Sequence, residues 1–97
     1  MSVTAIATLT FKPECLEEAQ EAVGRTLKFT RTFDGCLGVD VLIDRVDETR
    51  WLLVESWESA EHNAAYLSYR SSQGVKSELA PFLAGPPSVA KYDLSHV

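Results

Sequence analysis

The chain has 97 residues, 45% of them hydrophobic and 24% charged, with a formal net charge of -5. That length makes a single domain over residues 1–97, and one this small buries only about 60–65% of its unfolded surface, so a partner subunit would help it. Lysines and arginines number 9 against 14 acids, which leaves no basic stripe to displace counterions from a phosphate backbone and excludes nucleic acid as an expected partner.

The N-terminal MSVTAIATLTF has no positively charged leader, and threonines break up its apolar residues. That is the pattern of a strand and not of a signal peptide or membrane span, so a cytoplasmic protein with no membrane partner is expected. Val3, Ala5, Ala7, Leu9 and Phe11 fall on one face of this first strand, with Thr4, Ile6, Thr8 and Thr10 on the other. Pro13 suits the first turn of a helix. Glu14, Glu17 and Glu18 favour its positive start, and Arg25, Lys28 and Arg31 lie near its negative end. Leu16, Ala19, Val23 and Leu27 form its buried stripe. Gly24 lies inside that helix and costs about 1 kcal/mol relative to Ala. Asp34 and Gly35 then turn the chain.

Leu37, Val39, Val41 and Ile43 alternate with Gly38, Asp40, Leu42 and Asp44, which predicts a second strand. The polar stretch Arg45 to Thr49 leads into an antiparallel third strand from Arg50 to Trp57. Ser59 can cap a helix running to about Tyr69, with Glu61 in its first turn. A break at Arg70 to Ser72 precedes a second helical segment that Pro81 helps to end. After Gly85, Pro86 and Pro87, the segment Val89 to Leu94 reads as a last strand with Ala90, Tyr92 and Leu94 on one face. The order β-α-β-β-α-β predicts an α+β, ferredoxin-like fold: a four-stranded antiparallel sheet with both helices on one face.

Two helices cover only one side of such a sheet. The third strand is apolar on both, with Leu52 and Val54 on one face and Trp51, Leu53 and Trp57 on the other. At about 25 cal/mol per Å² of apolar surface, two indoles and a leucine left in water would forfeit several kcal/mol, so the second face needs a cover. A copy of the same sheet is the economical one, giving a homodimer that closes into a dimeric α/β barrel.

Cys15 and Cys36 read as reduced, structural thiols, and His62 and His96 form no metal-ligand cluster with them. A conventional zinc or iron site is not expected from this pattern, and neither a Walker loop nor a dinucleotide glycine fingerprint is present. The stretch VESWESAEH, from Val54 to His62, is the most informative in the chain. Side chains alternate along a strand, so Glu55 and Trp57 project together with Trp51, as the wall of a pocket would.

The turn and strand DGCLGVDVLID, the strand end VESWES, the helix AEHNAAYLSY and the late ELAPFLAGPPSVAKY together resemble the antibiotic biosynthesis monooxygenase family. The resemblance covers essentially the whole chain, and the Glu-x-Trp-Glu-Ser strand end is its most specific mark. It implies a homodimer with a separate pocket in each subunit, between sheet and helices. It also implies oxygenation of an electron-rich aromatic, such as an anthrone or quinol, without metal, flavin or haem. In that chemistry the protein binds the ring, favours its anion and excludes water.

Each site residue then has a role and a plainer alternative. The indole N–H of Trp57 can donate to a carbonyl or developing oxyanion, or the ring simply fills a subunit core. Glu55 is a base whose proton affinity burial raises, or a carboxylate paired with an arginine at the dimer seam. His62 is of the residue type that exchanges protons near neutrality, or it faces solvent. Tyr66 and Tyr69 can stack on a ring or donate a hydroxyl, Asn63 can orient the substrate, and Arg70 can counter a phenolate. Leu53 stands where aromatic monooxygenases of this group can carry a polar amide, four residues before the tryptophan. Arg70 and Ser71 stand where many relatives have a Pro-His pair, and Lys76 falls near the axial histidine of the haem-degrading branch. The alternatives to an oxygenase are a non-catalytic barrel that binds a small apolar ligand and, with less support, a haem-binding relative.

Overall fold

The computed structural model describes residues 2–72, 78–95 and 97. Strand β1 (Val3–Thr10) leads through a 3-10 turn at Pro13–Cys15 into helix α1 (Leu16–Thr32). Strands β2 (Cys36–Ile43) and β3 (Arg50–Trp57) form a hairpin, helix α2 (Ala60–Ser72) follows, and after a 3-10 turn at Ala80–Phe82 comes strand β4 (Ser88–Asp93). The strands make one antiparallel sheet in the order β2-β3-β1-β4. This is the ferredoxin-like α+β fold that the alternation and helix signals predict.

Local chemistry accounts for the joints. The carboxylate of Asp44 accepts from the backbone N–H groups of Val46 and Asp47 at 2.7 and 3.0 Å, and Asp47 accepts in turn from Thr49. These bonds fold the β2–β3 connection on itself and hold both carboxyls below the usual carboxylate range. At the other end of the hairpin Gly35 takes a φ of 89°, a left-handed conformation that side chains disfavour. Ser59 caps α2 by accepting from the N–H of His62 at 3.1 Å.

Three expectations need correction. Helix α2 does not break at Arg70 but continues to Ser72. A cation in the last turn suits the helix's negative end, and the Arg70 guanidinium lies 5.9 Å above the ring of Tyr66, one turn back. The second helical segment falls partly on residues 73–77, which lie outside the described residues; the part that is described is the turn containing Pro81. In β2, a bulge between Cys36 and Gly38 takes one residue out of register, so Cys36 pairs with Trp57 and Gly38 with Ser56. Leu37 is consequently 60% exposed, and Cys36 takes the inward place that strict alternation gives to Leu37.

The third correction concerns the faces of the sheet. Trp51, Leu53 and Trp57 lie beneath the helices and are buried within one protomer, so the indoles need no partner to leave water. Trp51 and Leu53 pack with Leu9, Phe11, Val39 and the α1 stripe of Ala19, Ala22, Val23 and Leu27. Trp57 packs with Val3, Ala5 and Tyr66 in a second cluster. The face without helices carries Ile6, Thr8, Leu52 and Val54 at its centre, with Leu42 and Tyr92 exposed towards its edges.

Candidate active site

The site is built where the end of β3 meets α2. Glu55 and Trp57 are two residues apart on β3, so they share a face, and the indole Nε1 of Trp57 donates to Glu55 Oε1 at 3.1 Å. Trp57 is 0% exposed. Its ring lies 5.0 Å from that of Tyr66 and 6.2 Å from that of Phe33, which meets it edge-on. Burial pushes the Glu55 carboxyl above the usual carboxylate range, against the opposing pull of the Trp57 N–H and the positive charge of Arg70. This carboxylate, hydrogen-bonded to the indole, therefore holds its proton more tightly than an exposed one.

Tyr66 is anchored from α1. Its hydroxyl lies 2.6 Å from Thr30 Oγ1, which itself donates to the Thr26 carbonyl at 3.1 Å. With the threonine proton committed to that carbonyl, the tyrosine is the donor in the buried pair. Burial also raises the Tyr66 phenol. Cys36 packs between the two clusters, and burial pushes its thiol up, with the nearby Glu55 adding to the effect.

The structure thus brings Glu55, Trp57, Tyr66 and Arg70 together and distributes the remaining candidates. Trp51 sits in the other cluster, edge-on to Phe11 at 4.9 Å, with its N–H donated to the Glu48 carbonyl. It lines a cavity of about 310 Å³ between α1 and the β2–β3 hairpin, together with Val23, Leu27, Val41 and Ile43. Leu53 packs in that same cluster. Tyr69 stacks on Phe29 at 5.5 Å. Asn63 is 2% exposed, and its Oδ1 has no hydrogen-bond partner among the described residues. His62 is half-buried, its Nε2 3.8 Å from both Asp34 and Glu58. Lys76 and His96 lie outside the described residues.

Sequence reasoning missed Phe33, Thr30 and Cys36. Thr30 continues the Val23 and Leu27 stripe of α1 at helical spacing, a signal that its polar side chain concealed. Phe33 and Cys36 flank the Asp34–Gly35 turn, where alternation carries no information.

Glu55 pairs with Ala5, which pairs with Lys91 on β4, so the helix-side row from the half-buried carboxylate crosses a single methyl to an exposed edge. Val89, Lys91 and Asp93 on that edge are all exposed.

The sequence model of the antibiotic biosynthesis monooxygenases matches residues 2–77. The chain belongs to this family. No curated protein matches it by sequence. Among solved structures, it is similar to a putative antibiotic biosynthesis monooxygenase from Nitrosomonas europaea, at 22% identity and a TM-score of 0.80 over 98% of this chain and 91% of that one. It is also similar to a mutant of SnoaB, a cofactor-independent oxygenase from Streptomyces nogalater, at 14% identity and a TM-score of 0.85 over 99% and 95% of the two chains. A third is PA3566 from Pseudomonas aeruginosa, at 23% identity and a TM-score of 0.75 over 97% and 95%. At these identities the likeness establishes the family fold, and any chemistry must be argued from this chain's own residues. Among the described residues no helix is long and apolar enough to cross a membrane.

Proposed function

We propose that this family member is a cofactor-independent monooxygenase that oxidises an electron-rich aromatic, a quinol, anthrone or polyketide-like phenol, with dioxygen. The reading rests on Glu55, a carboxylate held by the Trp57 N–H at 3.1 Å and raised in proton affinity by burial. Such a group is a better match to a weakly acidic substrate than an exposed carboxylate.

Glu55 takes a proton from the substrate, and Arg70, whose charge already acts on Glu55, favours the resulting anion. The anion passes one electron to triplet dioxygen, and the radical pair combines to a peroxide. Glu55 returns its proton to that peroxide, which loses water to leave a carbonyl. For a methylene carbon the balance is CH2 + O2 → C=O + H2O, so the substrate supplies every electron. Trp57 acts in this scheme through Glu55, because its one N–H is committed to that carboxylate. Tyr66 and Phe33 contribute ring surface.

The bare face of the sheet supports a second element of the reading, a homodimer. Its central rows consist of apolar and hydroxyl side chains, including Ile6, Thr8, Leu52 and Val54, with Asp40 their single charge. A second copy is self-complementary to such a face.

Oxygen consumption with a panel of hydroquinones and anthrones, measured against the rate without enzyme, tests the chemistry. Glu55→Gln should lower the enzymatic rate by about 10²–10⁴-fold, the usual contribution of a general base, while circular dichroism shows an intact fold. An unchanged rate in Glu55→Gln would remove the base from the mechanism. If no compound is turned over while some still raise the melting temperature, the protein is instead a ligand-binding barrel.

A further inference from the structure

The Asp34–Gly35 turn and the Glu58–Ser59 corner are distant in sequence and meet at one end of the sheet, where the Glu58 N–H donates to the Gly35 carbonyl at 2.8 Å. The junction collects three side chains able to ligate a metal. His62 Nε2 lies 3.8 Å from Asp34 Oδ2 and 3.8 Å from Glu58 Oε2, and one donor atom from each of the three residues lies within 4.8 Å of the others.

The imidazole is fixed in place independently of those carboxylates. Its Nδ1 is 2.7 Å from Ser59 Oγ, an oxygen that also accepts the His62 backbone N–H. The ring lies over Gly35, where a Cβ would overlap its Cγ and Cβ atoms. When Nδ1–H donates to Ser59, the lone pair is left on Nε2, the nitrogen that faces the acids. A hydrogen bond to the non-ligating ring nitrogen is the usual outer-shell support of a metal-bound histidine.

We propose that Asp34, Glu58 and His62 form a binding site for a divalent transition-metal ion of the zinc type. One imidazole nitrogen and two carboxylate oxygens suit zinc and cobalt, whereas magnesium and calcium favour sites built from oxygen alone. Metal–ligand bonds of about 2.0–2.2 Å place tetrahedral donors roughly 3.4 Å apart, so the two 3.8 Å separations from His62 need a slight contraction, and the two carboxylate oxygens, within 4.8 Å of each other, must close to the same spacing. Asp34 and Glu58 have side chains 91% and 55% exposed, which leaves them free to make it. Three protein ligands leave a fourth position to solvent. The ion would tie the start of β2 to the first turn of α2. Phe33, the residue before Asp34, packs 5.2 Å from Tyr66 and 6.2 Å from Trp57, so the clamp braces the aromatic cluster from outside. The site stands apart from the proposed oxidation and does not depend on it.

The same three residues could instead hold only a proton, as an imidazolium between two acids, and metal titration separates the two cases. Chelator-treated full-length protein is titrated with Zn²⁺ in a calorimeter and with Co²⁺ by visible absorption, and melting temperatures are taken with and without Zn²⁺. One saturable Zn²⁺ site that raises the melting temperature is expected, with no response to Mg²⁺ at the same concentration. Asp34→Asn, at an exposed turn position that asparagine tolerates, should weaken Zn²⁺ binding about tenfold or more. His62→Gln should do the same, and Ser59→Ala, removing the outer-shell bond, about 10–100-fold. Absence of a saturable site overturns the proposal. So does Zn²⁺ binding that survives Asp34→Asn and His62→Gln undiminished, or that is lost instead in Cys15→Ser or Cys36→Ser.

Discussion

The buried hydroxyl pair of Thr30 and Tyr66 gives the sharpest test of how the site is assembled. Thr30→Val keeps the side chain's shape but removes the acceptor of the Tyr66 hydroxyl, 2.6 Å away. A buried donor left without a partner costs about 1–3 kcal/mol. In a domain of this size each kcal/mol corresponds to about 4–8 °C in melting temperature, so a fall of about 4–24 °C is expected. Tyr66→Phe is the milder change. It removes the hydroxyl outright, and Thr30 keeps its bond to the Thr26 carbonyl, so the cost should stay near the net value of one hydrogen bond, about 0.5–1.5 kcal/mol. In the double variant the two apolar groups face each other, and Thr30→Val should add less than about 1 kcal/mol to the cost of Tyr66→Phe. Thermal melts of the four proteins close the cycle. If Thr30→Val costs as much in the Tyr66→Phe background as in the original protein, the tyrosine proton is not committed to Thr30. The hydroxyl would then be available to a ligand, and Tyr66 would move from the frame of the site into its working parts.

Other expectations follow from the same geometry. Burial raises Glu55 above its ordinary value, so the folded protein holds this proton more tightly than the unfolded chain. The stabilisation is fully present below the ordinary carboxylate range and is lost as pH rises through the raised value. Glu55→Gln should therefore gain melting temperature relative to the original protein as pH rises from about 4 to about 8, and a constant difference across that range would contradict the raised proton affinity. Gly35→Ala should be destabilising by about 1–2 kcal/mol for the positive φ alone, and by more because the added methyl overlaps His62. Gly24→Ala meets nothing within 4 Å and should stabilise α1 by up to about 1 kcal/mol; thermal melts of the two variants check both signs. Val54→Lys, at the centre of the bare sheet face, should convert a dimer to a monomer in sedimentation. A protein that already sediments as a monomer would leave that face without the proposed partner.

Much of this molecule is legible in its sequence, because the informative signals are local. Alternation locates β1, β2 and β3, the spacing of Ala19, Val23 and Leu27 marks the buried side of α1, and Ser59 announces the start of α2. The pairing of Glu55 with Trp57 also follows from strand geometry, since residues two apart share a face whatever lies above them. What alternation cannot supply is the identity of that face. It puts Trp51 and Trp57 on one side of β3, but only the packing of α1 and α2 shows that this is the covered side. The inward turn of Cys36 depends on a bulge that no pattern in the sequence announces.

The division follows from the range of the forces involved. Side-chain periodicity, capping and turn preferences act over a few residues, so the sequence by itself determined the element order, the family and the acid–indole pair. Contacts between residues far apart depend on how the elements dock. Only the tertiary structure decided that Thr30 anchors Tyr66, that Trp51 and Trp57 sit in different clusters, and that Asp34 faces His62 across the turn at Gly35.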